Sequence, residues 1–378
     1  MKDDLAAWLR LTLLPGLGPE RQRTLLAAFG LPEAIFSVGR SAIVSVVGAD
    51  LADRLLAPPD IARIDAALAW AQEPGNRILT LADPDYPRSL LEIADPPVLL
   101  YLKGDAAQLS ASALAIVGAR SATPAGVANA EAFGAALAEA GFTIVSGLAL
   151  GIDAAAHRGA LTPTGGTTVA VIGTGADRVY PARNQSLARQ IAARGAIVSE
   201  YPLGTPALPH NFPRRNRLIA GLARGVVVVE AAVGSGSLIT ARLAIETGRD
   251  VFAIPGSIHS PLARGCHALI RDGAKLVETS ADILDEFSWG LPAAPRAAAR
   301  QDNASLALTA GRGGARPVRS AAPPGATPVL EALGHDPLDL DTLAVRSGLT
   351  LDALYAILLP LELDGHVSRL PGGRFQRL

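Results

Sequence analysis

Between residues 114 and 287 the chain alternates short apolar runs with longer helical segments, and this cadence constrains the fold more than any other feature. Most of the apolar runs are continuous, which is typical of strands buried on both faces of a parallel sheet. We therefore predict a doubly wound α/β domain with a mostly parallel sheet. The predicted strands are Leu114–Val117, Phe142–Val145, Thr168–Ile172, Ala196–Ser199, Val226–Val229, Val251–Ile254 and Lys275–Val277. The predicted helices lie near residues 124–140, 151–161, 184–194, 213–223, 236–247, 264–271 and 280–287.

The segments on either side of this pattern differ from it. Residues 1–75 predict a small helical domain of the SAM-like or helix-hairpin-helix type, with a tight glycine hairpin at Pro15–Pro19. The N–H groups of that hairpin would either bind a phosphate or only close a turn between packed helices. Residues 76–289 are assigned to the α/β domain, which opens with a turn-rich bridge and a short strand at Val98–Leu102.

The C-terminal part of the chain predicts a linker and a third domain. Residues 290–326 are rich in Ala, Pro, Gly and Arg and predict a flexible linker. Residues 327–378 predict two helices followed by a hairpin, the pattern of a winged helix. The second helix, about Thr350–Leu363, contains no Lys or Arg, whereas a winged helix that reads duplex DNA places a basic helix in the major groove. We therefore favour a protein-contact or regulatory role for this domain. Weak phosphate contact by the wing stays open as an alternative, because the wing carries three arginines: Arg369, Arg374 and Arg377.

Composition excludes several classes of function. The 34 basic residues are balanced by 35 acidic ones, so a nucleic-acid site must be a local patch. The single cysteine, Cys266, excludes an internal disulfide and fits a reducing cytosol. The N-terminus lacks a signal-peptide pattern, and no apolar run approaches the roughly 20 residues of a membrane helix. We expect a cytoplasmic protein without membrane contacts, metal or cofactor.

Glycine-rich turns follow several of the predicted strands. They are Gly118–Ser121, Ser146–Asp153, Gly173–Gly175 and Gly234–Thr240. The carboxyl ends of parallel strands share one edge of the sheet, where ligands collect. Small residues allow a close backbone approach, and helix N-termini present N–H groups to anions. We predict a row of anion sites at this edge, in which Ser235 or Ser237 donates a hydroxyl and Arg120 forms two bonds to a phosphate.

Sequence signatures of catalysis are weak. The chain has no G-x-x-x-x-G-K-[ST] motif, and Gly173–Arg178 lacks the third glycine of a dinucleotide-binding loop. Ser146, Asp153 and His157 would suit a triad, but Ser146 lacks a G-x-S-x-G elbow. We expect Asp153 to cap the helix that follows it and His157 to support that cap or its loop. No catalytic residue is predicted.

An arginine-rich segment gives the most informative sign of nucleic-acid binding. No acid occurs from Tyr201 to Val229, and Phe212 lies beside the arginines of this stretch. Those arginines are Arg214, Arg215, Arg217 and Arg224. Phosphate-binding arginines beside an aromatic ring are what single-strand binding requires. A solvated helix end with a core phenylalanine fits this segment equally well.

Several motifs together resemble the DNA-processing protein A family, also called DprA or Smf. They are Ala115–Arg120, Val145–Ala149 with Gly151–Asp153 and Ala156-His157, Tyr180-Pro181 with Asn184, Ser199-Glu200, Phe212–Arg217, Val229–Ala231, Ser235–Ala241 and Ile254–Gly256. Their order and spacing agree with that family across about residues 80–290. The N-terminal helical domain and the C-terminal winged helix also resemble the family's accessory domains.

This resemblance implies a Rossmann-like domain in a non-catalytic, cytosolic protein that binds single-stranded DNA during natural transformation. It also implies that the protein loads RecA recombinase and works as a homodimer through that domain. The implied DNA contacts are Gly118, Arg120, Ser146, Gly147, Phe212, Arg214, Arg215, Arg217, Gly236 and Ser237. If about four arginines contact phosphates, the log–log slope of affinity against salt should be about −3.

The alternative function is an enzyme that acts on small nucleotides. The LOG-type nucleotide phosphoribohydrolases have a related Rossmann-like architecture with a glycine-rich phosphate edge. Their P-G-G-x-G-T-x-x-E motif is broken in this chain at Pro255-Gly256-Ser257. Glu200 and Glu230 lie at strand ends and would suit paired carboxylates, but we favour them as polar supports of the glycine loops.

Overall fold

The computed structural model describes residues 2–287, 326–333 and 337–377, which fall into two compact units. The first unit holds the N-terminal helices and a nine-stranded sheet, and the second holds the C-terminal helices and a three-stranded sheet. The predicted linker at residues 290–326 lies outside the described residues, except for its last residue. The predicted domain boundaries themselves remain predictions.

The helices and strands are numbered in chain order. The helices are α1 (Lys2–Thr12), α2 (Pro19–Phe29), α3 (Pro32–Ser37), α4 (Arg40–Val47), α5 (Ala49–Leu56), α6 (Ile61–Gln72), α7 (Pro124–Glu139), α8 (Ile152–Ala160), α9 (Gln185–Arg194), α10 (Asn211–Leu222), α11 (Gly236–Glu246), α12 (Arg264–Arg271), α13 (Ser280–Phe287), α14 (Ala326–Leu333), α15 (Leu340–Ser347) and α16 (Leu351–Leu363). The strands are β1 (Asn76–Thr80), β2 (Leu99–Gly104), β3 (Ala113–Gly118), β4 (Thr143–Ser146), β5 (Thr168–Val171), β6 (Ala196–Ser199), β7 (Gly225–Val229), β8 (Asp250–Ala253), β9 (Lys275–Leu276), β10 (Leu338–Asp339), β11 (Val367–Leu370) and β12 (Arg374–Arg377).

The large sheet has the strand order β1-β2-β6-β5-β4-β3-β7-β8-β9. Its strands are parallel from β6 to β9, whereas β2 pairs antiparallel with both β1 and β6. The chain runs outward from β3 to β6 on one side and then returns to place β7 on the other side of β3. Strand order therefore reverses between β3 and β7, which is where doubly wound folds bind ligands. The predicted fold class is confirmed.

Both faces of this sheet are covered, which explains its apolar strands. In β5, Val169 and Val171 pack into a core with α10, α11 and α12, while Ala170 and Ile172, the residue just after the strand, pack against α8 and α9. Each fully buried Val or Leu contributes about 1.5–3 kcal/mol relative to an exposed position. All seven strands predicted from the apolar runs are present, each within one residue of its predicted bounds.

The N-terminal helices pack against the antiparallel side of the sheet. Trp8 of α1 and Trp70 of α6 share a core with Leu99 and Tyr101 of β2. A separate small core joins α1 to α5 through Leu11, Leu25, Ile35, Ile43 and Leu55. Strand β1 was not predicted, because it lies in what the sequence suggested to be a bridge. It pairs with β2, and its residues Ile78 and Leu79 are buried in two separate cores.

The C-terminal unit has its own core. The side chains that form it include Val329, Leu343, Leu354, Leu358 and Phe375. The two predicted helices are α15 and α16, and the predicted hairpin is β11 and β12, with β10 added on the other side of β12. In the described part of the chain no single helix has the length and apolar content to cross a membrane; α15 and α16 meet that criterion only as a pair bent by 104°.

Candidate nucleic-acid interface

A cleft of about 460 Å³ opens at the carboxyl ends of β3 and β7, where strand order reverses. Its walls are the turn after β3, the first turn of α10 and the first turn of α11. Six of the ten predicted contact residues line it: Gly118, Arg120, Phe212, Arg215, Gly236 and Ser237. These residues come from three separate segments of the sequence, so the fold brings them together at the predicted edge of the sheet.

Close backbone packing forms the base of the cleft. A Cβ atom at Gly118 would lie 1.8 Å from the carbonyl oxygen of Val229, so only glycine fits beside β7. The N–H of Ala119 donates to the carbonyl of Glu230 at 2.7 Å. This packing keeps the turn after β3 against the end of β7, and the side chain of the next residue, Arg120, is exposed.

Two helix N-termini meet at the cleft. The side-chain amide of Asn216 in α10 donates to the carbonyl of Gly236, the first residue of α11, at 3.1 Å. Ser235 is the N-cap of α11, and its hydroxyl oxygen accepts from the N–H of Ser237. The first turn of a helix has N–H groups without intrahelical acceptors and a partial positive charge. Two such turns side by side suit an anion.

A pair of aromatic rings lies beside Arg120 at the cleft. The Phe212 ring lies 5.5 Å from the ring of Tyr180, centroid to centroid, and 5.4 Å from the guanidinium carbon of Arg120. Tyr180 is 49% exposed. Tyr180 belongs to one of the family motifs, but its contact with Phe212 was not predicted, because it lies 32 residues before Phe212 in the sequence.

Arg215 is buried in the wall of the cleft. Its Nη1 donates to the carbonyl of Val171 at 2.6 Å, and only 3% of the residue is exposed. Burial lowers the pKa of Arg215 to about 10, so the guanidinium stays charged at neutral pH. The guanidinium crosses over Gly147, where a Cβ atom would lie 1.8 Å from Nη1. Arg215 thus gives the cleft a fixed positive charge. Because Gly147 has no side chain, the Arg215 guanidinium can pack directly against its backbone.

The three residues considered as a triad form separate hydrogen bonds. The Ser146 hydroxyl is buried and donates to the carbonyl of Ile116 at 2.6 Å, so it does not line the cleft. His157 Nδ1 pairs with the hydroxyl of Thr168 at 2.7 Å. Burial lowers the pKa of His157 to about 3, which keeps the ring neutral. The predicted role of His157 beside the helix cap was wrong, because its partner is the first residue of β5.

Asp153 is an acid in the first turn of the following helix, as predicted, but the prediction that it caps that helix was wrong. Helix α8 begins at Ile152 with Gly151 as its N-cap, so Asp153 already lies inside the helix. Its carboxylate instead accepts from the N–H groups of Gly147 and Ala149, at 3.1 and 3.4 Å. Burial raises the pKa of Asp153, and the nearby Arg215 guanidinium opposes that shift. Asp153 therefore holds the loop between β4 and α8 against the cleft.

Two non-glycine residues near the cleft have positive φ. Leu148, in the loop after β4, has φ 58°, and Glu230, directly after β7, has φ 54°. A Cβ atom at Gly126 would lie within 2.6 Å of the Glu230 carboxyl group, so that carboxyl packs onto a glycine. Such conformations cost about 1–3 kcal/mol each and concentrate at ligand sites.

Arg217 and Arg214 lie on a different side of α10. Arg217 Nη2 donates to Glu200 Oε2 at 2.6 Å, and its Nε donates to Asp95 Oδ2 at 3.2 Å. Arg23 of α2 also pairs with Asp95. The Arg214 guanidinium lies 3.9 Å from both carboxylates. The structure therefore does not bring Arg217 and Arg214 to the cleft with Arg120, because acids from outside the acid-free stretch bind them.

The described residues contain no group of three or more His, Cys, Asp or Glu side chains arranged to bind a metal ion.

Replacing Gly147 with alanine is expected to lower the free energy of unfolding by about 1–3 kcal/mol, as overpacking of a tight interior does. The new Cβ atom would displace Arg215 from the carbonyl of Val171. The matched control is Gly236→Ala, since a Cβ atom there meets nothing within 4 Å. Urea unfolding of both variants measures the effect, and equal stability of the two would contradict this packing.

The comparisons with known proteins find the same family over most of the chain. The family model described as DNA recombination-mediator protein A matches residues 77–288, and the model described as the DprA winged helix domain matches residues 314–373. The protein Smf of Escherichia coli (strain K12) is 38% identical over 315 residues, which are 82% of this chain and 80% of that protein.

Two solved structures are also similar. DNA processing protein A from Streptococcus pneumoniae matches with a TM-score of 0.66 and 39% identity, over 74% of this chain and 97% of that one. The Helicobacter pylori protein, whose structure describes its single-stranded DNA binding mode, matches with a TM-score of 0.51 and 30% identity, over 56% of this chain and 95% of that one. With its central and C-terminal domains both matched, the chain belongs to the DNA recombination-mediator protein A family, whose members are called DprA or Smf.

Proposed function

We propose that this protein is a non-catalytic single-stranded DNA-binding protein and that the cleft between β3 and β7 holds the strand. The observation that carries the proposal is the convergence of two helix N-termini, the exposed Arg120 and the Phe212 ring on one cleft. Helix N-termini and arginines bind phosphates, and an exposed ring stacks on any base. The Helicobacter pylori relative, which binds single strands, supports the same function for this chain.

Each group in the cleft has a distinct role in this proposal. The N–H groups at the start of α11 and the Ser237 hydroxyl bind phosphate oxygens, and Arg120 forms two further bonds to a phosphate. Phe212 and Tyr180 stack on bases. Arg215 adds positive charge without leaving its buried position. Because none of these groups reads a base edge, we expect little sequence preference. Family membership supports this function over the LOG-type phosphoribohydrolase alternative.

The experiment compares single-stranded and duplex oligonucleotides by fluorescence anisotropy at several salt concentrations. We expect tighter binding of the single strand, with a log–log salt slope of about −0.7 for each phosphate contact. Arg120→Gln should reduce that slope, whereas Arg189→Gln, which removes an exposed arginine from α9, should not. Equal affinity for duplex, or binding that salt does not weaken, would contradict the proposal.

We further propose that the bound strand is passed to RecA in the cytoplasm, as the resemblance to the DprA family implies for natural transformation. A strand held by its phosphates and by stacking is held without sequence preference, which suits a protein that must hand over any incoming strand. The measurement is the rate at which RecA assembles on single strands with and without this protein. An unchanged rate would contradict the loading role and leave strand binding intact.

We also propose that the protein is a homodimer, paired through the β9 end of the sheet. An apolar groove of about 720 Å³ lies there, lined by Val233, Ile270 and Leu276 among others. Val233 is 74% exposed and Leu276 is 45% exposed, and an open sheet edge favours pairing with another chain. Light scattering should find a dimer that Leu276→Glu converts to a monomer, while Leu31→Glu on the N-terminal helices does not. A Leu276→Glu dimer would contradict this surface.

A further inference from the structure

We infer that a second cavity, at the glycine hairpin of the N-terminal helices, binds one further nucleotide of the strand held in the cleft. This inference rests on the proposed function. The cavity has a volume of about 370 Å³ and lies between the hairpin and the end of β6. Its walls include Gly16, Gly18, Tyr101, Glu200, Tyr201 and Arg214. A volume of roughly 300–1,000 Å³ is usual for small-molecule sites.

The walls of this cavity supply hydrogen-bond donors. Gly18 is the N-cap of α2, an eleven-residue helix, and no side chain caps it among the described residues. Pro19, the first residue of α2, has no N–H, and the N–H of Gln22 donates to the carbonyl of Gly18, so the N–H groups of Glu20 and Arg21 are the ones that suit an anion. Arg214 adds a guanidinium that is 42% exposed; its ion pairs with Asp95 and Glu200, both 3.9 Å long, are too long to be hydrogen bonds, so its N–H groups can still donate to a phosphate. These groups suit a phosphate.

Two residues of the cavity wall carry buried oxygens that lack partners. The hydroxyl of Tyr101 and Oε1 of Glu200 have no hydrogen-bond partner within the described ranges. Tyr101 is 1% exposed and the Glu200 side chain is 5% exposed. Since an unsatisfied buried polar group costs free energy, both oxygens favour a ligand that can reach them. Glu200 is fixed in place, because its other oxygen accepts from Arg217 at 2.6 Å.

The combination of donors and acceptors selects a nucleotide over an inorganic anion. A free phosphate would meet the hairpin and Arg214 but would be repelled by Glu200. Every DNA base carries at least one N–H group that can donate to a carboxylate, and the phosphate of the same nucleotide suits the N–H groups of α2 and the Arg214 guanidinium. The ring of Tyr201 in the wall adds an aromatic surface.

The two cavities adjoin the same turn of α10. Pro213 and Arg215 line the cleft, and Arg214, between them in the sequence, lines the second cavity. Three consecutive residues of α10 therefore contribute to both cavities. In this arrangement the N-terminal helices extend the binding site by one nucleotide.

The test uses Tyr101→Phe in the full chain and a series of oligodeoxythymidylates of increasing length. Because the Tyr101 hydroxyl has no partner among the described residues, its removal should leave the melting temperature unchanged. Loss of a single hydrogen bond to the strand should weaken the Kd of long oligonucleotides by about threefold to tenfold. The shortest oligonucleotides that still bind should be unaffected, since they fill only the cleft. Identical curves for variant and wild type, or equal weakening at every length, would overturn the inference.

A second variant keeps the test decisive. Arg214→Gln should show the same dependence on length, and the control Arg189→Gln should show none. Arg120→Gln separates the two proposals, because it should weaken binding at all lengths. If Arg120→Gln has no effect, the proposed function fails. If Arg120→Gln weakens binding while Tyr101→Phe and Arg214→Gln do not, only the second cavity is wrongly assigned.

Discussion

Arg217→Ala is expected to lower the free energy of unfolding by about 3–5 kcal/mol, the usual effect of removing one partner from a buried ion pair. The Arg217 side chain is 10% exposed and that of Glu200 is 5% exposed, and their contact measures 2.6 Å. Without the guanidinium, Glu200 would remain buried near Asp95 with its main positive partner gone. Urea denaturation followed by tryptophan fluorescence measures the loss.

The matched control for Arg217→Ala is Arg40→Ala. Arg40 also forms a short ion pair, with Asp53 at 2.6 Å, but both side chains are more than half exposed. Exposed pairs contribute little, because water solvates the separated charges well. Similar losses of stability in the two variants would contradict the view that Arg217 holds α10 against Glu200 and Asp95.

The stability deficit of Arg217→Ala should depend on pH. Burial raises the pKa of Glu200, and Arg217 and Arg214 oppose that shift. In the variant, protonation of Glu200 removes the uncompensated charge. A carboxyl group whose pKa is raised in the folded state stabilises the fold below its ordinary pKa and loses that contribution as pH rises. The deficit should therefore be largest at neutral pH and narrow as the pH falls through the carboxylate range.

Phe212→Ala is expected to weaken single-strand binding by about 10- to 100-fold, the range for losing one base stacked on an aromatic ring. Phe212 lines the cleft and lies beside both Tyr180 and Arg120, so its loss removes the centre of the aromatic surface. The matched control is Tyr355→Ala in α16, which removes a 47% exposed ring from the C-terminal unit. Anisotropy titrations measure both affinities. Equal weakening in the two variants would place the stacking surface elsewhere.

The sequence predicted the central fold well because its signals there are local. A strand buried on both faces needs a continuous apolar run, and each predicted run became a strand. Strand β1 lacks such a run: Asn76 and Arg77 precede its two large apolar residues, Ile78 and Leu79. It exists because β2 offers an open edge, which a local pattern does not reveal.

The sequence predicted the position of the backbone turns in the candidate site. It predicted less well the contacts between side chains that are far apart in the sequence. Gly118 ends β3, and Gly236 and Ser237 lie in the segment that follows β7, so the topology places them at one edge. The partner of Arg217 at Asp95 lies 122 residues earlier in the chain, and no spacing rule connects them. Glu200 lies one residue before the acid-free stretch, so a wider window would have included it.

The most direct test of strand binding in the cleft is ultraviolet cross-linking of the full chain to a bromodeoxyuridine-substituted single strand, with the adducts mapped by mass spectrometry. The account predicts adducts on Phe212 or Tyr180, the two rings beside Arg120. Adducts confined to residues 337–377, with none at the cleft, would contradict it and assign the strand to the C-terminal unit.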